Sequence, residues 1–187
     1  SVCFYFQVHQ PYRTRKYSVF DIGKNDYFDS KKNSEIMKKV ALKCYLPSNK
    51  LMLKLIKKYD GKFKIAYSIS GIALNQFEEY APEVIESFKE LVDTGCVEIL
   101  SETYYHSLSY LYSKKEFDVQ VKMHMNKIKK LFNYKPRIFR NTEIIFNNDM
   151  AKYIEQKGYK GIIAEGADHI LHGRSPNFLY KSISAEK

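Results

Sequence analysis

Short β-rich runs and longer amphipathic stretches follow one another along almost the whole chain, and this alternation limits the folds open to it more than any other feature. Strands are predicted over residues 2–8, 63–69, 96–101, 136–141 and 159–164, with a last run, 178–183, as a sixth. Between the first two lie two helical stretches. One is capped at Asn33 or Ser34, carries Ile36, Val40 and Ala41 and is ended by Pro47; the other starts near Ser48 or Asn49 and buries Leu51, Leu55 and Ile56. Residues 75–93 set Phe77, Tyr80, Val84, Phe88 and Leu91 on one stripe before Gly95. Ser113 caps a helix with Phe117, Val121, Ile128 and Leu131 inward, and a helix over 147–157 is stopped by Gly158. Strands separated by helices pair in parallel through right-handed crossovers, so the chain reads as an α/β sheet or barrel.

Folds of this kind place ligands at the C-terminal ends of their strands. His9, Ser70, Glu102, Glu143 and Glu165 or Asp168 all fall at such ends and would ring one site. Glu143 closes the fourth strand. Arg140, three residues earlier, would favour the ionised carboxylate and could bind substrate hydroxyls, which suits a nucleophile; the plain alternative is an ion pair that closes a loop. Glu102 and Glu98 are polar groups around the third strand, where burial requires a partner or water. His9 and His106 could donate hydrogen bonds to hydroxyls, and Tyr12, Tyr104 and Tyr105 flank these residues.

Several classes are disfavoured. The net charge of +10 comes from lysines scattered in pairs, with only five arginines, and argues for solvated helix faces rather than a nucleic-acid reader. No apolar run has the length of a membrane span, and no signal peptide is evident, so a cytoplasmic protein is expected. Three cysteines lie far apart, outside any CxxC pattern, and are expected to be reduced and mostly buried. His169 and His172 lack the glutamate of an HExxH motif, so no metal and no cofactor are expected. The 16 tyrosines and 12 phenylalanines with no tryptophan are an unusual balance for a sugar-binding protein, although tyrosine can supply the stacking ring.

Five stretches carry a family resemblance: Phe6-Gln7-Val8-His9-Gln10-Pro11-Tyr12-Arg13, Lys64 to Gly71, Gly95 to His106, Phe139-Arg140-Asn141-Thr142-Glu143 and Glu165-Gly166-Ala167-Asp168. With them the chain resembles the N-terminal part of glycoside hydrolase family 57, in particular its α-amylase-like members. The resemblance implies a parallel (β/α)7 barrel, TIM-barrel-like, present over residues 1–187 as an incomplete portion of about five to six strands. It also implies a retaining reaction on α-1,4-glucans such as starch, glycogen or maltodextrin, without a metal. Glu143 matches the position of the family's nucleophile, and His9, Gln10, Glu102, His106, Arg140 and Asp168 are expected to bind substrate. The family's acid/base aspartate belongs to a motif with no match here. The chain alone is therefore expected to be an inactive fragment and to self-associate through its open barrel. A 4-α-glucanotransferase of the same family is the nearest alternative, and a non-catalytic glucan-binding or regulatory protein is the alternative if the natural chain ends near Lys187. A metal-dependent deacetylase would need an aspartate with two spaced histidines, which the sequence lacks.

Overall fold

A computed structural model describes residues 2–183 and divides into two compact units, Ser1–Glu98 and Ile99–Lys187. In the first, β1 (Phe4–Val8) lies beside β2 (Ile65–Ile69), which lies beside β3 (Val97–Leu100), a strand that runs across the boundary between the units. The pairing of β1 with β2 is parallel, Phe4 opposite Ile65 through Val8 opposite Ile69. A central parallel strand is covered on both faces, and β2 accordingly buries four of its five residues. Its Tyr67 ring meets Phe88 edge-on at 5.2 Å, while Phe77 meets Tyr45 edge-on at 5.1 Å. At the edge, β1 leaves Phe4 and Phe6 partly exposed.

Helices supply the cover. The first, α1 (Ser30–Val40), begins where the Asp29 side chain accepts the Lys32 N–H, four residues before the expected cap. Asn33, expected as that cap, is instead buried and bonds both backbone groups of Arg13. A π-helical turn, Ala41–Tyr45, carries α1 directly into α2 (Leu46–Lys58). Pro47 therefore does not end the first helix: it sits in the first turn of α2, where a missing N–H costs least. The buried stripe is Asn33, Met37, Ala41, Tyr45, Asn49 and Ile56, and Leu51 is half exposed. The predicted helix over 75–93 is two helices, α3 (Gly71–Tyr80) and α4 (Pro82–Asp93). Pro82 breaks it, since proline excludes helical geometry from the residue before it, and Ala81 has φ −154°.

In the second unit, α5 (Lys114–Phe132) follows its Ser113 cap as expected and ends on a left-handed Asn133. β4 (Ile138–Arg140) pairs in parallel with β5 (Gly161–Ile163), and Ser101 forms a parallel bridge to Phe139. Between them α6 (Asn148–Gln156) is capped by Asn147, whose side chain accepts the Met150 N–H. Phe117, Val121, Phe139, Met150 and Ile154 form the core with Tyr110 and Tyr159. After β5 comes a short helix, α7 (Asp168–Leu171). The predicted sixth strand does not form: residues 178–183 are irregular, with Phe178, Leu179 and Ile183 exposed, because no neighbouring strand takes up their backbone groups among the described residues. Of the cysteines only Cys96 is buried; Cys3 and Cys44 are exposed, against expectation, one before β1 and the other on the outward side of the π-helical turn.

Candidate active site

Two turns of the second unit build the site. The first follows Ser101, whose N–H and carbonyl are taken up by Ile138 and Arg140. Beyond it Glu102 and Thr103 are fully buried, and the chain reverses through a Thr103 to His106 bond. The Thr103 hydroxyl accepts the Ser107 N–H at 3.0 Å, while Gln120 on α5 takes the Ser107 hydroxyl at 2.8 Å. The second turn follows β4. Asn141 starts it, accepting the Ile144 N–H and donating its side-chain amide to the Ile145 carbonyl at 3.1 Å.

Side chains join the two turns. The buried hydroxyls of Thr103 and Thr142 bond each other at 3.0 Å. His106 stands between two carboxylates, Nδ1 at 3.4 Å from Glu102 and Nε2 at 3.3 Å from Glu143. A neutral imidazole carries one N–H, so both contacts become donated hydrogen bonds only when the ring holds two protons. The two carboxylates differ sharply in surroundings: the Glu102 side chain is 1% exposed and that of Glu143 is 67% exposed. Glu102 is thus placed to orient the imidazole from within, and Glu143 is open to a substrate.

The backbone here is strained. His106, Glu143 and Ile144 have φ of 54°, 53° and 58°, a left-handed conformation that costs a non-glycine residue on the order of 1–3 kcal/mol. Ile144 is the most unfavourable of the three, being β-branched. Such geometry persists where the surrounding bonds over-determine it, and the Thr103–Thr142 and Asn141–Ile145 contacts do so here.

Other residues named from the sequence are held elsewhere. Within the first unit His9 Nδ1 lies 2.8 Å from the Ser70 hydroxyl, which also caps α3 by accepting the Ala73 N–H. The Gln10 carbonyl accepts the Gln76 amide at 2.6 Å, and its side chain meets Tyr45 and Arg13. Arg140 is buried at the end of β4. Asp168 is exposed in the first turn of α7, and among the described residues no hydrogen bond or ion pair joins it to Glu102, His106 or Glu143. Thr103, Thr142, Asn141 and Gln120 carry the turns without having been singled out from sequence; the one signal was that the first three sit inside the resemblance stretches. Near the site, burial pushes the Tyr159 phenol up, opposed by its bond to Ser101 at 2.7 Å. Among the described residues no group of three or more His, Cys, Asp or Glu side chains is arranged to hold a metal ion, and no helix is long and apolar enough to cross a membrane.

Comparison with known proteins gives a consistent set of likenesses. The sequence model described as glycosyl hydrolase family 57 matches residues 3–185. A protein of Methanocaldococcus jannaschii described as "Putative alpha-amylase" is 45% identical over 188 residues, covering 97% of this chain and 39% of that protein. The crystal structure of a 4-alpha-glucanotransferase from Thermococcus litoralis superposes with a TM-score of 0.67 at 18% identity, over 92% of this chain and 23% of that one. An alpha-amylase structure from Thermotoga maritima gives a TM-score of 0.60 at 15% identity, over 86% of this chain and 38% of that one. The chain thus spans about two fifths or less of the length of these relatives.

Proposed function

Since the chain belongs to glycosyl hydrolase family 57, we propose that it carries the nucleophile-bearing part of an α-amylase-like retaining enzyme acting on α-1,4-glucans. The carrying observation is Glu143: an exposed carboxylate on a strained turn at the end of a parallel strand, with His106 bridging it to buried Glu102. The 45% identity to a relative named for alpha-amylase supports the substrate class. On this reading the parallel strands are part of an incomplete (β/α)7 barrel.

Glu143 attacks the anomeric carbon as the bond to the leaving glucan breaks, giving a glucosyl ester; water then cleaves the ester and releases the sugar with its configuration retained. The proton for the leaving oxygen comes from a second carboxyl about 5–5.5 Å from the nucleophile, a role we assign to a residue outside these 187. An acceptor glucan in place of water would make the same ester the intermediate of a transferase.

In the active enzyme that contains this chain, Glu143→Gln should lower glucan turnover at least about 10³-fold with binding retained. A 2-fluoro maltosyl donor should leave a stable ester on the Glu143 peptide, read by mass spectrometry. Undiminished turnover of Glu143→Gln, or label on another residue, would overturn the assignment.

A further inference from the structure

His106 holds a left-handed backbone, and its two neighbours in sequence are gripped by one atom of another element. The side-chain oxygen of Gln120, on α5, accepts the Tyr105 N–H at 3.4 Å and the Ser107 hydroxyl at 2.8 Å. It thus holds the chain on either side of His106, whose φ is 54°. The imidazole itself reaches Glu102 at 3.4 Å and Glu143 at 3.3 Å, both beyond the usual range for a hydrogen bond from nitrogen to oxygen. Contacts of that length do not fix a ring by themselves. The direction in which the ring leaves the chain is set by the backbone of His106, and that backbone is set by its neighbours.

The orientation of the Gln120 amide follows from the chemistry at its two ends. Its nitrogen lies 2.8 Å from a carboxylate oxygen of Glu116, one helical turn earlier, where side chains four apart meet. A carboxylate only accepts and a backbone N–H only donates, so the nitrogen must face Glu116 and the oxygen must face Tyr105. Glu116 is tied in turn to the start of α5, its own N–H donating to the Ser113 cap at 3.2 Å. Gln120 is buried, so its polar ends depend on these partners. An apolar side chain of similar length would fill the same space and would hold neither Tyr105 nor Ser107.

We infer that Gln120 is a positioning residue for the reaction: it holds the backbone of His106 so that the imidazole stands between Glu102 and Glu143, and Glu116 locks the amide that does so. The inference rests on the function proposed above for Glu143. Gln120 and Glu116 touch none of the reacting atoms, and their effect on turnover passes through His106.

The test uses the active enzyme that contains this chain and a 2-fluoro maltosyl donor, whose rate of ester formation reports attack by Glu143 directly. Gln120→Leu should slow both kcat and ester formation about 10- to 100-fold, with KM within about twofold. Gln120→Glu combined with Glu116→Gln reverses the pair while keeping an oxygen toward Tyr105 and Ser107, and should recover most of the rate; Gln120→Glu alone sets two carboxylates against each other and should not. In the His106→Ala enzyme, Gln120→Leu should change ester formation by no more than about twofold, because the group it positions is gone. Glu116 is exposed, so Glu116→Ala leaves folding intact; it should slow ester formation about two- to fivefold and gives the same comparison if Gln120→Leu does not fold. Equal slowing with and without His106, or undiminished rates in the variant that folds, would overturn the role. Label on a residue other than Glu143 in the unaltered enzyme would overturn the function proposed above and this role with it, a failure told apart because it appears before any substitution at 116 or 120.

Discussion

The ends of β2 and β4 solve the same geometric problem in opposite ways. After β2, Ser70 has an extended backbone, φ −64° and ψ 149°, and its side chain caps α3 at once, so the strand passes into a helix without strain. After β4 the chain enters a one-turn 3-10 segment with two consecutive left-handed residues, Glu143 and Ile144, and reaches the next helix only at Asn148. The first turn is built for stability. The second gives up stability to hold one carboxylate outward, where the first has a buried serine. Strain alone does not make a catalytic residue, but strain, exposure and a bridging imidazole at one strand end form a combination absent from the other.

Thr142→Val should produce the largest change in this contrast. It removes the bond between the two buried hydroxyls while Thr103 keeps its bonds to Ser107, with an expected loss of about 0.5–1.5 kcal/mol in denaturant unfolding. Turnover of the active enzyme should fall mainly in kcat, because Glu143 loses its fixed position; Thr142→Ser should restore both, and a change in stability alone would make the contact purely structural. Next, Ser70→Ala and Ile144→Gly should shift stability in opposite directions. Loss of the cap costs about 0.5–2 kcal/mol. Glycine at 144 relieves a left-handed β-branched residue and should raise stability by up to about 1 kcal/mol while lowering kcat, since the turn loosens. If Ile144→Gly destabilises the protein, the second turn is not strained in the way argued.

The smallest effect at neutral pH belongs to Tyr67 in the middle of β2. Burial pushes its phenol up to about 12, and among the described residues its hydroxyl has no hydrogen-bond partner. The folded state thus keeps a proton that the unfolded chain releases near pH 10. Unfolding is then linked to proton loss, so the stability contribution is intact below about pH 10 and is lost as pH rises toward 12. Tyr67→Phe should leave stability at pH 7 unchanged or slightly higher and flatten its alkaline decline, measured by urea unfolding across pH 8–12. An unchanged alkaline slope would place that sensitivity on other phenols.

Much of the architecture was legible because it depends on near neighbours. Ser113, Asn147, Gly95 and Gly158 mark ends that the chain itself dictates through caps and positive φ. Where the reading failed, a partner distant in sequence decided. Asn33 was expected as a cap and is a buried bridge to Arg13, twenty positions away. Residues 178–183 have strand composition without a strand partner. Pro82 is the exception, a local signal that the hydrophobic stripe across it concealed.

At the candidate site the division is equally clear. Sequence alone placed Glu102, His106 and Glu143 at strand ends, because alternation of strand and helix fixes which end of each strand carries loops that can differ. It could not place the imidazole between the two carboxylates, bury one and expose the other, or turn Glu143 and Ile144 left-handed, since no glycine marks that conformation. Those outcomes belong to the tertiary structure. They follow from hydroxyl, amide and imidazole contacts between residues up to 39 positions apart, which exist only once both turns stand side by side.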